Sequence, residues 1–430
     1  RDWSSDVCSS DLFPAPNTGG AAALNYSSSL LIRLNDYQTH VRTDHYLSAR
    51  DLVTARFSWN LNDQEYVINR FGGPFIPGFS LPNPEKTLNA GIGYTRTLGA
   101  ALVNELRIGV NRYRNPLDNG DARSAEEFGL PNGSVANGIP SIEFRGGTIE
   151  SLGGLPWFNR DQNETTYQLS DSLSLLVGRH SLRWGGTLLR QHMNTRGAYN
   201  QRGTVRFDGT RNTLVPRLPG NERAALLADF LLGLPSEAAI TIGQFGRGFR
   251  QWNGSGFLQD SWRATARLTL NLGLRFDYTA PWTEVNRKLS NVVAGRGLIS
   301  AGEPSFPGLY PGDRNNLAPR FGFAYDLGGQ GTTVLRGGFG LLYETLLQAN
   351  SVELVENNAP FSSSAITRSP VPFAASGPSR TLLDLAALAE PSRSLGAVGS
   401  FRNPYTMQFS FGIQHRLAAH WMLEVGYAGA

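Results

Sequence analysis

Short turns and long connections alternate along this sequence without exception. Turns of about three to five residues are followed by connections of about 25 to 60, through six successive hairpins. A soluble propeller or sandwich has no reason to sort its loops this way. A barrel that crosses a membrane does, because its short turns gather at one end and its long loops at the other. The hairpins are read from side-chain alternation, since successive residues of a strand point to opposite faces.

The pattern is cleanest at 251–263 paired with 268–278. Leu268, Leu270, Leu272, Leu274, Phe276 and Tyr278 alternate with Thr269, Asn271, Gly273, Arg275 and Asp277, giving one apolar and one polar face. Strands of about 11 residues are long enough to cross a bilayer when tilted. The same unit is predicted at 38–46 with 52–60, 87–98 with 102–114, 164–176 with 181–192, 317–326 with 332–343, and 404–416 with 421–428. The expected fold class is therefore all-β: an antiparallel transmembrane outer-membrane β-barrel, partial, with about twelve strands of a larger barrel, long extracellular loops and short periplasmic turns.

Composition agrees with this reading but does not decide it. The 430 residues are 40% hydrophobic and 17% charged, with 49 Gly. No run approaches the roughly 18 to 20 apolar residues of a membrane-spanning helix, which excludes a helical membrane protein. A soluble propeller or solenoid would share this composition, and it is the loop lengths that separate the two. Trp59, Trp252, Trp262, Trp282 and Trp421 fall at or near predicted strand ends, where amphipathic rings favour a membrane interface. Within the long connections, 224–235 predicts a short helix ended by Gly233 and Pro235, 381–389 a second helix, and Ala239 to Phe245 a strand extension.

Asp2 to Leu12, DWSSDVCSSDL, resembles the translation of a common sequencing-adapter oligonucleotide. The expected organisation is thus a foreign segment at 1–12, an entry segment at 13–36 and a barrel at 37–430. Cys8, the single cysteine, falls in the first of these and leaves no disulfide, zinc or thiol site. Residues 1–12 carry one Arg and three Asp, so without them the formal charge of +4 becomes +6. That excess is spread along the chain and gives no argument for nucleic acid.

Several stretches, taken together and in order, resemble the barrel of TonB-dependent receptors, most closely the Oar-like subgroup. They are LVNELRIGVNRYR (102–114), YQLSDSLSLLVGRHSLRWGG (167–186), LADFLLGLP (227–235), QDSWRATARLTLNLGLRFDY (259–278), NLAPRFGFAYDLGGQGTTVLRGGFGLLYE (316–344) and RNPYTMQFSFGIQHRL (402–417). The resemblance runs from about residue 35 onward. It implies a chain of the cell outer membrane whose parent has 22 strands, a plug and a TonB-contacting box, and takes up a scarce ligand by energy-coupled transport. The plug and box would precede residue 13. The partners implied are outer-membrane lipid, the TonB complex through that N-terminal region, and an unidentified extracellular ligand. A plugless porin, a surface-structural or adhesion barrel, and a secretion channel stay open beside it.

No catalytic, cofactor or metal site is predicted. His40 and His45 lie five apart on one strand, hence on opposite faces, and His415 and His420 flank a short turn. Asp313 and Arg314, in GDRNN (312–316), are expected to pair or solvate at a strand entrance. The Gly-rich GRGF (246–249) and RGGFG (336–340) do not open a helix after a strand, so they imply no phosphate cradle. In a strand such glycines instead allow curvature or close approach. Asn271, Arg275 and Asp277 are expected to line the barrel lumen. Ligand contacts are expected from the long loops and upper lumen, at residues the sequence does not name.

Overall fold

The computed structural model describes residues 15–18, 25–27, 33–66, 81–117, 138–146, 149–156, 160–344, 355–356, 358–368, 390–391 and 402–430. Strands β1 (Arg33–Ser48) and β2 (Asp51–Tyr66) form the first hairpin, and β3 (Leu81–Thr97) and β4 (Leu102–Leu117) the second. The short β5 (Ser141–Phe144) precedes the third hairpin, β6 (Arg160–Val177) with β7 (His180–Arg196). The next connection carries β8 (Thr204–Phe207), helix α1 (Glu222–Leu231) and β9 (Glu237–Gly243) before β10 (Arg247–Arg263) and β11 (Leu268–Thr279). Then come β12 (Thr283–Glu284), β13 (Ser290–Val293) and β14 (Gly297–Ser300), followed by the hairpin β15 (Leu317–Asp326) and β16 (Thr333–Tyr343). Finally β17 (Ser362–Arg368) and β18 (Glu390–Pro391) lead into β19 (Tyr405–Ala418) and β20 (Trp421–Gly429).

The twelve hairpin strands follow one another in a single sheet, in the order β1-β2-β3-β4-β6-β7-β10-β11-β15-β16-β19-β20, with β12 added to β10. Every neighbouring pair along this path is antiparallel, as hairpins joined in sequence must be. The sheet does not close, and β1 and β20 are its edges. Most hairpin strands run further toward the long loops than alternation predicts: β1 begins at Arg33, β7 ends at Arg196 and β10 begins at Arg247. There polar residues pair with polar residues, as Asn163 does with Asn194, so no apolar face marks the strand.

Register puts the apolar residues of neighbouring strands on one face. Leu272 lies opposite Phe321, Phe321 opposite Phe339, and Phe339 opposite Phe409. The rings of Phe321 and Phe323 are 6.3 Å apart, and those of Phe409 and Tyr427 6.0 Å. Gly337 makes room in this layer, since a Cβ there would stand 2.6 Å from the Phe323 ring. The apolar face is open to its surroundings over many strands, far more than the few hundred Å² a soluble monomer exposes. The opposite face is polar and carries ion pairs two residues apart on one strand, such as Arg42–Asp44 at 2.7 Å and Arg275–Asp277 at 2.8 Å.

At the long-loop end the connections build a second, five-stranded sheet, β18-β17-β9-β8-β5. Phe144, Phe207 and Phe230 meet edge to face or stacked at its centre, and Leu226 of α1 packs on the same core. Arg206 joins Glu143, at 2.6 Å, to Glu237, and Arg145 approaches Glu237 at 3.2 Å. The expected strand extension at 239–245 is therefore corrected: β9 leaves the barrel wall and pairs with β8 and β17. Its residues Ala238 and Ile240 are needed in the loop core, which local sequence does not reveal. The predicted helix at 224–235 is α1, and Gly233, at φ +64°, ends it with its N–H on the Phe230 carbonyl. The helix expected at 381–389 lies outside the described residues.

The tryptophans divide. Trp252, Trp262 and Trp421 share the apolar face near strand ends or short turns. Trp59 is a correction, because it sits in the middle of β2 between Thr39 and Leu88. Trp282 is another. It is 7% exposed and packs with Met193, Phe249, Leu309 and Tyr310, so it serves a loop core and not an interface girdle.

Candidate functional site, a roofed cavity on the polar face

Where β6, β7, β10 and β11 run side by side, their polar-face residues form a grid. One row is Thr166, Gln191 and Gln251, the next Leu189, Asn253 and Thr279, and the next Thr187, Ser255 and Asp277. The connection after β11 folds back over the upper end of this grid. Ala280 donates its N–H to the Trp252 carbonyl at 2.9 Å, and β12 pairs with β10. Trp282, Leu309 and Tyr310 then close a core against Met193 and Phe249. Wall and roof partly cover a half-open cavity of about 490 Å³.

Hydrogen bonds hold the lining in place. The Asn253 amide donates to Gln191 Oε1 at 2.7 Å, and the Gln251 amide to the Ala280 carbonyl at 2.8 Å. Arg275 Nε donates to both Asp277 oxygens, at 3.0 and 2.9 Å, so these two charges neutralise each other. Among the described residues Glu164 is then the carboxylate of the lining without a cationic partner, and its Oε1 accepts the Gln162 amide. The backbone N–H of Trp282 donates to Tyr310 Oη at 3.3 Å. Burial pushes the Tyr310 hydroxyl up to about 12, against the lowering effect of that hydrogen bond and of Gln251. Two buried polar atoms here find no partner among the described residues: the indole Nε1 of Trp282 and Oδ1 of Asn253. A buried donor and a buried acceptor without partners are costly, and a bound solute with hydroxyl or amide groups would satisfy both. The equipment is that of a binding wall: amides, hydroxyls and an indole.

Of the residues expected to line the lumen, Arg275 and Asp277 meet in this cavity, and Asn271 lies lower on the same face. Asp313 and Arg314 do not pair with each other. Asp313 Oδ2 instead accepts the Asn403 N–H at 2.8 Å, and the Arg314 guanidinium lies 5.9 Å from the Tyr278 ring centre. Asp313 thus ties its loop to the segment before β19 and Arg314 lies against β11, contacts that spacing along the sequence does not show. His40 faces Ser58 Oγ at 3.0 Å and His415 faces Thr333 Oγ1 at 2.8 Å, while His180 meets Asp260 at 2.6 Å. Arg247 of GRGF is buried and donates to the Glu356 carbonyl at 2.7 Å. Gln191, Gln251 and Asn253 were legible only as the polar half of an alternation. Trp282 gave a misleading signal, that of an interface ring, since its role depends on the loop that carries it.

A family model described as an outer membrane beta barrel domain matches residues 6–430. Among solved structures, the outer membrane transporter YddB from Escherichia coli is similar, with a TM-score of 0.56 at 12% identity over 92% of this chain. This chain spans 40% of the length of that protein. The copper transporter OprC gives a TM-score of 0.46 at 13% identity, covering 90% of this chain and 43% of its own. The ferric yersiniabactin uptake receptor FyuA from Yersinia pestis gives 0.44 at 10%, covering 92% and 45%. No curated protein matches the sequence.

Proposed function

The chain belongs to the outer membrane beta barrel family and its place is the outer membrane, and on that premise we propose that it is the barrel wall of a ligand-binding, energy-coupled transporter of the TonB-dependent receptor type, Oar-like in subgroup. The observation that carries this reading is the roofed polar cavity. A receptor that captures a scarce solute gains from a concave wall of amides and hydroxyls partly covered by a loop. The solute enters from the long-loop side, meets Gln191, Gln251, Asn253 and Trp282, and is released inward when the TonB complex does work on the N-terminal part of the transporter. The domain organisation that goes with this is a foreign segment at 1–12, an entry segment after it and the barrel wall from β1 (Arg33–Ser48) onward.

The test is uptake by cells carrying the gene, with a panel of labelled oligosaccharides, peptides and metal chelates. A solute that accumulates above its external concentration, and stops accumulating when an uncoupler abolishes the proton gradient, is the expected result. Entry that continues unchanged with the uncoupler present would leave a passive pore. Reading the gene upstream of Phe13 adds a second check: a plug preceded by a TonB box is expected, and a signal peptide running straight into the barrel would overturn the energy-coupled reading.

A further inference from the structure

The apolar face of the sheet ends toward the long loops in a patch of basic side chains. Register builds it from four strands. Lys86 of β3 lies opposite Arg114 of β4, and Arg112 is two residues down the same face. Two and three strands further on, Arg190 of β7 lies opposite Trp252 of β10, and Arg250 is one row above it. Directly beneath these rows the same face is apolar, with Ile92 opposite Ile108, Ile108 opposite Leu169, and Leu169 opposite Leu188.

The height of the patch is fixed by counting from the short turns. Leu102 to Arg112, His180 to Arg190 and Trp262 to Trp252 are each a climb of about ten residues. At ~3.3 Å per residue and a tilt of roughly 40°, that is about 25 Å, the height of the apolar band of such barrels. Three strands thus place an arginine or a tryptophan at the upper boundary of the band. Arg190 lies over the Trp252 ring at 4.7 Å, an arrangement that holds its charge at that level.

Three of the five charges are not matched within the protein. Arg114 approaches Asp161 at 3.5 Å, and Arg250 donates to the neutral Asn194 at 2.9 Å with Glu284 in electrostatic reach. Lys86, Arg112 and Arg190 have no carboxylate partner among the described residues. This contrasts with the polar face, where Arg42, Arg107 and Arg275 each have an acid two residues away. Cations gathered at the boundary of a lipid-facing surface repel one another unless an anion lies between them.

We propose that this patch binds the phosphorylated headgroup of an outer-leaflet lipid, with Arg112, Arg190 and Arg250 as its principal contacts and the apolar rows below holding the acyl chains. Arginine suits the task because its planar fork binds phosphate through two hydrogen bonds. Its three principal contacts span three strand spacings, about 14 Å, so they can engage more than one phosphate of a large headgroup.

The experiment titrates the detergent-solubilised protein with fluorescent diphosphoryl lipid A and compares R112Q/R190Q/R250Q with R42Q/R56Q/R107Q, which removes as many charges from the opposite face. Heat-modifiable gel mobility verifies that each variant is folded, and single R190Q stands in if the triple variant does not fold. Each lost charge is expected to weaken binding about fivefold, so the triple variant loses about 100-fold and R190Q about fivefold. The opposite-face variant should change less than about threefold, and salt should weaken wild type far more than the triple variant. Lipid A stripped of its phosphates should bind like the triple variant. Unchanged affinity in R112Q/R190Q/R250Q or R190Q, an equal loss in the opposite-face variant, or inorganic phosphate competing as well as the lipid would overturn the proposal.

Discussion

Replacing Phe321 with arginine puts a charge into the apolar face at its middle. Phe321 is five residues from the end of β15 at Asp326. At ~3.3 Å per residue and a tilt of roughly 40° it stands about 13 Å above the short turns, half-way up a band about 25 Å tall. Its cross-strand neighbours are Leu272 and Phe339, and its ring packs 6.3 Å from that of Phe323. No acid is next to it across either strand. An arginine at the midplane of a barrel's lipid face costs about 2–4 kcal/mol. A loss of 3 kcal/mol lowers the folding equilibrium constant roughly 150-fold. Leu272→Arg sits at a similar depth but directly opposite Asp260, so the new guanidinium gains a carboxylate neighbour. A favourable cross-strand charge pair returns about 0.2–1 kcal/mol, and Leu272→Arg should therefore be the milder of the two. Asn271→Arg, on the polar face, serves as the control and should stay within about 0.5 kcal/mol of wild type. The assay is urea-dependent folding into lipid vesicles, followed by tryptophan emission and heat-modifiable mobility. If Phe321→Arg folds as well as Asn271→Arg, the apolar face does not meet lipid. If Leu272→Arg is the costlier of the two, the register between β10 and β11 is misread.

Removing Arg206 as Arg206→Met leaves Glu143 and the buried Glu237 without their shared cation. Breaking one partner of a buried ion network costs about 3–5 kcal/mol, reduced here because Arg145 still reaches Glu237 at 3.2 Å. The loop sheet should become protease-sensitive while the barrel strands keep their heat-modifiable mobility. Tyr310, whose ionisation is pushed up to about 12, contributes stability in its neutral form. That contribution is complete below about pH 10 and is lost as pH rises from about 10 toward 12, so emission from Trp282 should shift over that window and the step should vanish in Tyr310→Phe. Glu222 at the start of α1 accepts the Gly220 N–H at 3.0 Å, and hydrogen bonds from its own backbone N–H and that of Gly220 hold its ionisation below the usual carboxylate range. Glu222→Gln should loosen α1 slightly at neutral pH, and wild type and variant should converge as pH falls below about 4. Trp282→Ala should open the cavity roof, and large-to-small changes of buried aromatics cost about 3–5 kcal/mol, read as increased hydrogen exchange of Ala280 and the β12 amides.

The barrel wall was legible in the sequence because its physics is local. Alternation with period two needs only a strand and two different surroundings, and Leu268 to Tyr278 states both in eleven residues. Each short turn pairs strands that are neighbours in the chain, so sheet order followed without any long-range knowledge. The strand extensions toward the long loops were hidden, since there both faces meet water or polar loops and the alternation stops, as in Arg160–Thr166.

The loops were not legible, and the candidate site depends on them. The second sheet draws β5, β8, β9, β17 and β18 from three separate connections, and β5 joins β8 in parallel, a pairing that no hairpin signal announces. Ala239 reads as strand in either sheet, and the partners that claim it are Thr204 and, more than a hundred residues away, Ile366. Trp282 reads as an interface ring until the fold of its own connection buries it against Met193 and Phe249. The sequence by itself determined which residues face lipid and which face the lumen, because a strand's side-chain period fixes that locally. Only the tertiary structure decided which lumen residues share a cavity, and which basic residues share a patch, because both depend on cross-strand register and loop packing between residues far apart in the chain.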